Sequence, residues 1–316
     1  MKRAPPSRVT EGPTLRHITL TGPSGRAGAL PARMRASGRV APIFGERAMS
    51  AGGGDILTPP NVAGPVTVSN GGGPIAAGSP VQLIFWGDAW SDPTTNPSAA
   101  QLTQDVHSML LGPWRAGLRQ YGLLNPIHLD GSLTVGTWQP PATFQQGDIE
   151  SLVLTLIEGG VYVSGELNLY VVMMPPNTNF GPGGINGEHW RFILGPVWLA
   201  FVLFGSRAFM TTTFSHELAE MLTDPDGSTW QVNPRNPINW NEIGDICQSS
   251  TATLSGVTLQ AYWSQQDNAC LIPQAPSLRK TLSLAQITLG GQGLRSIQGP
   301  MPSLNAFVDQ LYGSTL

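Results

Sequence analysis

Apolar residues along the chain form short runs that predict buried strands. The run Val81–Trp86 ends at a Gly-Asp pair, and the run Gly165–Met174 ends at two prolines. A third run covers Val197–Phe204. Short apolar runs that are rich in β-branched and aromatic residues and end at turn residues are typical of buried strands. We therefore expect strands at these three places.

Two segments have the residue spacing of helices. Between residues 98 and 121 an apolar residue recurs every four positions, as one face of a helix requires, at Leu102, Val106, Leu110 and Trp114. Met210–Thr223 is a second predicted helix, which the Asp-Pro-Asp-Gly sequence after it ends. The glycine-rich stretch 177–187 predicts a loop. Together these elements predict a loop-rich α/β (α+β) fold.

The two ends of the chain differ from the segment between them. Residues 1–60 are rich in Pro, Gly, Arg and Ala without a sustained apolar period, which predicts a disordered basic leader or pro-segment. Residues 276–316 form a predicted C-terminal tail with a short amphipathic end at 304–311. The expected domain is therefore 61–275.

Composition and charge exclude several classes of protein. With 38 Gly and 28 Pro, much of the chain must be turns, which excludes a coiled coil or a helical repeat. Residues 1–50 carry nine Lys or Arg and two Asp or Glu, whereas the remainder carries eight and eighteen. An acidic body argues against nucleic acid as the main partner. The longest apolar stretch, 193–204, is too short to span a membrane, which takes about 20 residues.

The most informative motif is His216-Glu217-Leu218-Ala219-Glu220. Positions i and i+4 of a helix lie one turn apart on one face, so His216 and Glu220 can hold one metal ion with Glu217 beside it. In His-Glu-x-x-His sites two histidines bind zinc and the adjacent Glu activates water. A carboxylate replaces the second histidine here, and carboxylates are also zinc ligands. The alternative is a solvated helix face, against which the apolar flanks argue.

Two more carboxylates, Glu242 and Asp245, follow the predicted helix. A catalytic zinc site needs a third protein ligand and an open position for water. Either carboxylate can be that ligand, and the other can orient His216 from outside the ligand set. Alternatively, the two carboxylates cap a short helix.

The order of these motifs resembles that of a known family, the bacterial His-Glu-x-x-Glu zinc metallopeptidases and the related plant phosphate-induced (EXORDIUM-like) cell-wall proteins. The resemblance covers roughly residues 60–275. The matching segments are the apolar run 81–86, Gly-Glu-His at 187–189, Ser-His-Glu-Leu-Ala-Glu at 215–220, Thr-Asp-Pro at 223–225, Glu-Ile-Gly-Asp-Ile-Cys at 242–247, Tyr-Trp-Ser at 262–264 and Ala-Cys at 269–270.

The resemblance implies a zincin-like domain with a mixed β-sheet, an active-site helix and an extracellular, secreted setting, although no standard signal peptide is visible. It makes a Cys247–Cys270 disulfide the expected state of two cysteines whose spacing alone only permits one. The third-ligand motif of the thermolysin group is also similar to this segment: Asn241 and Glu242 match it, and Asp245 arrives one position early. That departure leaves the choice between Glu242 and Asp245 open, and we prefer Glu242 as the third ligand.

Two functions follow from these residues. In a zinc-dependent peptidase, Glu217 is the general base towards water and a peptide or protein is the substrate. His189, with Tyr262 behind it, is then the expected oxyanion stabiliser or a further metal ligand. In a non-catalytic extracellular or cell-wall binding protein, a fourth ligand closes a structural site. The expected cofactor is one zinc ion, and oxygen-rich ligation admits other divalent ions.

Overall fold

The structure is a computed structural model of the chain. It describes residues 55–62, 64–162, 168–192, 197–233 and 241–274, together with the backbone of three short strands before residue 50. The chain divides into two units, residues 1–275 and 276–316. The predicted tail, including 304–311, lies outside the described residues, as does most of the predicted leader.

The secondary structure is mixed. The strands are β1 (Leu15–Ile18), β2 (Arg39–Val40), β3 (Ala48–Met49), β4 (Ile56–Thr58), β5 (Thr67–Asn70), β6 (Pro80–Trp86), β7 (His128–Val135), β8 (Thr143–Phe144), β9 (Leu169–Met173), β10 (Asn179–Phe180), β11 (Gly187–Phe192), β12 (Val197–Val202), β13 (Trp230–Asn233), β14 (Thr251–Leu254), β15 (Val257–Gln260), β16 (Tyr262–Ser264) and β17 (Ala269–Ile272). The α-helices among the described residues are α1 (Ala99–Leu111), α2 (Gln146–Glu158) and α3 (Arg207–Thr223). None of the helices among the described residues combines the length and the hydropathy of a membrane span.

A mixed seven-stranded sheet forms the centre of residues 1–275. Its strand order is β1-β7-β6-β9-β12-β11-β2. The first five strands in this order, β1, β7, β6, β9 and β12, are parallel to one another. Strand β11 is antiparallel to both β12 and β2. The mixed α/β class that the sequence predicts is confirmed.

Helices cover both faces of this sheet. Along β6, Val81, Leu83 and Phe85 pack in one core with α1 and α3, whereas Ile84 and Trp86 pack in a second core with α2. Because both faces are apolar, such a strand has a continuous apolar sequence rather than an alternating one. Complete burial of one large apolar side chain contributes roughly 1.5–3 kcal/mol, so both helical layers stabilise the sheet.

The described elements match most of the predicted ones. Strands β6, β9 and β12 lie within or close to the three apolar runs, and α3 ends at Thr223 as predicted. The predicted helix over 98–121 is interrupted: α1 ends at Leu111, and a 3₁₀ helix spans Pro113–Tyr121. Gly112 has an extended conformation between them because a residue before proline avoids the helical region. The predicted loop 177–187 contains β10 and the first residue of β11.

Four short strands lie in the range predicted to be a disordered leader. Strands β1, β2 and β3 pair with β7, β11 and β14, and β4 pairs with β17. Strand pairing therefore begins before residue 61, the expected start of the domain. These partners lie far along the chain, so the local composition of residues 1–60 does not reveal them.

Candidate metal centre

Helix α3 carries the His-Glu-x-x-Glu motif and is surrounded by protein. Every residue from Met210 to Thr223 is buried. The helix packs against β11, β12 and β15. Its ionisable groups therefore do not form a solvated helix face, and that alternative interpretation of the motif is wrong.

Six ionisable side chains meet beside α3. They are His189 on β11, His216, Glu217 and Glu220 on α3, and Glu242 and Asp245 after β13. None of the six residues is more than 7% exposed. Buried charges are strongly unfavourable unless they are paired or bind a metal. The charges of these six side chains must therefore be balanced by one another, by bound protons or by a metal ion.

One group of three side chains combines the helix motif with a carboxylate beyond it. His216 Nε2 lies 3.2 Å from Glu220 Oε2 and 3.9 Å from Asp245 Oδ1. One potential ligand atom from each of the three residues lies within 4.8 Å of the others. Asp245 is fixed by the Glu242 backbone N–H, which donates to its Oδ2 over 3.1 Å. These three residues can hold a metal ion.

His189 connects the helix to the other acidic side chain. Its Nδ1 lies 3.1 Å from Glu217 Oε2 and 3.8 Å from Glu220 Oε2, and its Nε2 lies 3.5 Å from Glu242 Oε1. Glu242, which the sequence favours as third ligand, thus faces His189, while Asp245 faces His216. Tyr262, expected behind His189, donates its hydroxyl hydrogen bond to a backbone carbonyl of the 3₁₀ helix after α1.

Gln260 holds the other side of His216. Its Nε2 lies 2.7 Å from His216 Nδ1 and donates to the Gly244 carbonyl over 3.0 Å. When an amide N–H donates to Nδ1, the proton of a neutral imidazole resides on Nε2. If a metal bound Nε2, the proton of the neutral ring would lie on Nδ1. The Gln260 amide would then have to turn so that its oxygen accepts this proton. That oxygen, Oε1, has no hydrogen-bond partner among the described residues.

Two glycines allow the backbone to approach the carboxylates. A Cβ atom on Gly187 would lie 2.7 Å from Glu217 Oε1, and one on Gly244 would lie 2.8 Å from Glu220 Oε1. Both distances are shorter than any ordinary Cβ contact, so a side chain at either position would force the carboxylate to move. Sequence reasoning noted the segments that contain these glycines but missed their role, because their spacing to α3 arises only in the folded chain. Gln260 was missed for the same reason.

The cluster shifts the pKa values of its members in different directions. Burial raises the pKa of Glu217 to about 7, although the hydrogen bond from His189 opposes this shift. Burial lowers the pKa of His216 to about 3, and the charge on His189 adds to that effect. Burial also opposes protonation of His189, but the Glu242 and Glu217 carboxylates outweigh it and hold that pKa well above its usual value. Without a cation, the cluster therefore retains protons.

The donors that remain unpaired fit a divalent cation. Among the described residues, Glu217 Oε1 and Glu220 Oε1 have no hydrogen-bond partner. An unsatisfied buried polar atom costs about 1–3 kcal/mol. Burial and neighbouring carboxylates also hold the pKa values of Glu220 and Asp245 well above their usual range. A bound cation would satisfy the oxygens and replace the protons.

The predicted disulfide between Cys247 and Cys270 is confirmed. It joins the 3₁₀ helix Asp245–Cys247 to strand β17. Because Asp245 is two residues before the bridged cysteine, the disulfide fixes the backbone that presents this carboxylate. The cross-link therefore stabilises one side of the candidate metal centre.

A further buried acid, Glu188, lies on the opposite face of β11. Neighbouring residues of a strand point to opposite faces, so Glu188 faces α2 while His189 faces α3. Gln146 of α2 donates a hydrogen bond of 2.8 Å to Glu188 Oε1. Burial raises the pKa of Glu188 to about 8. Local sequence does not separate the role of Glu188 from that of the adjacent histidine.

A comparison with protein-family models finds no match, and comparisons with curated proteins and with solved structures find none either. The resemblance to the His-Glu-x-x-Glu metallopeptidases therefore stays a prediction that rests on the sequence motifs. What the described residues establish is a buried group of His, Glu and Asp side chains that can hold a metal ion.

Proposed function

We propose that this chain is a zinc-dependent peptidase in which His216, Glu220 and Asp245 hold the ion and Glu217 is the general base. The observation that carries the proposal is the group of three ligand atoms within 4.8 Å of one another, with the Glu217 carboxylate next to it on the same helix. The motif order along the chain supports it as well. This ligand set differs from the sequence-based preference for Glu242.

A bound divalent ion would supply Lewis acidity, which lowers the pKa of a coordinated water and polarises a carbonyl group. Glu217 takes up the proton that the attacking water loses and then delivers it to the leaving amine. Glu217 directly follows His216 on α3, and its Oε2 contacts His189 Nδ1, so the base is held beside the proposed ligands.

His189 is the positioning residue for this base. Its Nδ1 is 3.1 Å from Glu217 Oε2, and its Nε2 is 3.5 Å from Glu242 Oε1, so the ring is fixed between two carboxylates. A protonated ring in this position also contributes positive charge near the oxyanion that forms during attack on a carbonyl. Glu242 then serves to orient His189 rather than to bind the ion.

The alternative function, a non-catalytic extracellular binding protein with a structural ion, is favoured by the depth of the cluster. His216, Glu220 and Asp245 are at most 7% exposed, and structural zinc sites are typically closed by protein ligands. A secreted setting suits both functions, because disulfides such as Cys247–Cys270 persist mainly in oxidising compartments.

The test uses the full-length chain, elemental analysis and a peptide library. We expect at least one zinc per chain and hydrolysis that falls roughly 100- to 10,000-fold in Glu217→Gln, the usual range for loss of a general base. Glu158→Gln, which changes an exposed glutamate of α2, is the matched control and should leave hydrolysis unchanged.

The outcomes separate the two functions. Bound zinc without hydrolysis of any library peptide, or equal activity of Glu217→Gln and the wild-type chain, would contradict the peptidase and favour the structural site. A chain that binds no zinc even after incubation with the metal would contradict both. Metal-dependent cleavage of the full-length chain within residues 1–60 would identify the leader as a pro-segment.

A further inference from the structure

One carboxylate oxygen lies between the two histidines of the cluster. Glu220 Oε2 is 3.2 Å from His216 Nε2 and 3.8 Å from His189 Nδ1. Glu220 consequently belongs to two groups of potential ligands, one with His216 and Asp245 and another with His189 and Glu217. A carboxylate in such a position can bind one cation through each oxygen or through a shared oxygen.

The second group has its own unpaired donor. Glu217 Oε1 is fully buried and has no hydrogen-bond partner among the described residues, although Oε2 of the same carboxylate contacts His189. One potential ligand atom from each of His189, Glu217 and Glu220 lies within 4.8 Å of the others. The second group thus offers the same kinds of ligand as the first: one imidazole and two carboxylates.

The carboxylates of both groups are buried. Glu217, Glu220 and Asp245 are each at most 7% exposed. Within the described part of the chain, their ion-pair partners are the two histidines. Because buried carboxylates are unfavourable unless they are paired or bind a metal, a cation in each group would stabilise both sets of ligands.

We propose that the cluster binds two divalent cations with Glu220 as the bridging ligand, one held with His216 and Asp245 and the other with His189 and Glu217. The inference rests on the metal-binding half of the proposed function and does not require catalysis. The second cation would occupy the carboxylate that serves as the base. Hydrolysis should therefore rise with the first equivalent of metal and fall with the second.

The test is a titration of the metal-stripped, full-length chain with Mn²⁺, an ion suited to oxygen-rich sites. We expect two Mn²⁺ per chain by elemental analysis after gel filtration. Two ions that share a carboxylate are magnetically coupled, so the paramagnetic resonance signal per ion should drop when the second equivalent binds. Both readouts use the wild-type chain and are independent of enzymatic activity.

Substitutions assign the two positions. Glu217→Gln and Asp245→Asn should each reduce the stoichiometry from two to one and remove the magnetic coupling, whereas Glu220→Gln should abolish both positions. Glu158→Gln in α2 is the control and should retain two coupled ions. Circular dichroism of each variant checks that the chain is folded.

The outcomes also separate this inference from the proposed function. A wild-type chain that saturates at one Mn²⁺ and hydrolyses peptides would overturn the second position while the peptidase stands. Two bound ions without coupling would overturn the bridge. Two coupled ions in a chain that hydrolyses no peptide would support the pair and contradict the peptidase.

Discussion

Helices α2 and α3 cover opposite faces of the same sheet but are buried in different ways. Helix α2 buries one apolar stripe, which consists of Ile149, Leu152, Val153 and Leu156, and leaves Gly147 and Glu158 exposed. Helix α3 buries every residue from Met210 to Thr223, including one histidine and two glutamates.

The difference shows that the two helices depend on different sources of stability. Burial of an apolar stripe is sufficient for α2, because its polar residues stay at least partly exposed to water. The ionisable groups of α3 have lost water and need a partner that replaces it. In the described residues that compensation comes from His189, which contacts Glu217 and Glu220, and from the protons that the cluster retains. In our proposal it also comes from metal ions.

The largest expected difference between the helices comes from matched Glu→Gln substitutions. Glu220→Gln removes a carboxylate shared by both ligand groups, so metal affinity should fall by more than roughly 100-fold, the upper end of the effect of losing an outer-shell partner. Glu158→Gln changes an exposed residue of α2 and should leave metal affinity unchanged. Isothermal titration with Zn²⁺ measures both. Equal affinities in the two variants would contradict the metal centre on α3.

A smaller effect concerns the pH dependence of the metal-free chain. Burial raises the pKa values of Glu188 and Glu217 to about 8 and about 7, and carboxylates raise that of His189 despite its burial. Each group binds more protons when folded than when unfolded, so its stabilising contribution is lost as pH rises. The lowered pKa of His216 acts in the opposite direction only below about pH 6.5.

From pH 6.5 to 8 the unfolding free energy of the metal-free chain should therefore decrease, with Glu188 and Glu217 alone contributing on the order of 2 kcal/mol. Urea denaturation at several pH values measures this decrease. Metal binding requires deprotonated ligands, so saturating Zn²⁺ should stabilise the chain more at pH 8 than at pH 6.5. A metal-free chain that gains stability over this range would show that the cluster is not protonated as described.

The smallest expected effect compares two glycines. In Gly244→Ala the new Cβ would lie 2.8 Å from Glu220 Oε1 and 3.0 Å from His216 Nδ1, so Glu220 must move and metal affinity should fall roughly 10-fold. In Gly147→Ala on α2 the new methyl meets no atom within 4 Å. That variant should keep its metal affinity and gain up to about 1 kcal/mol in stability. Calorimetric titration and thermal unfolding measure the two quantities, and an unaffected Gly244→Ala would contradict the close packing.

Much of the fold was predictable because its signals are local. Strand β6 is apolar on both faces, so its sequence is a continuous apolar run. Helix α3 stops where Pro225 follows Asp224. The apolar spacing on either side of Pro113 suggested one long helix, and only the folded chain shows α1 giving way there to a 3₁₀ helix.

The residues of the candidate site likewise fall into those that local sequence predicts and those that only the folded chain brings together. His216, Glu217 and Glu220 were found from the sequence, since helical spacing alone brings them together. Whether Asp245 or Glu242 approaches His216 depends on how the segment after β13 turns, and the structure brings Asp245 there. The sequence predicts His189 in the site with Tyr262 behind it, whereas the packing of β11 against α3 brings its Nδ1 to 3.1 Å from Glu217 Oε2.

The sequence by itself determined the apolar strands, the helical ligand motif and two cysteines able to pair, because each depends on neighbours along the chain or on composition. The tertiary structure decided which face of β11 meets α3, which carboxylate joins His216, and that Gly187 and Gly244 allow the close approach. These features depend on strand pairing and helix packing between segments that are far apart in the sequence. Local sequence does not determine how closely such segments approach one another. The burial that makes the cluster a candidate metal centre arises from the same packing.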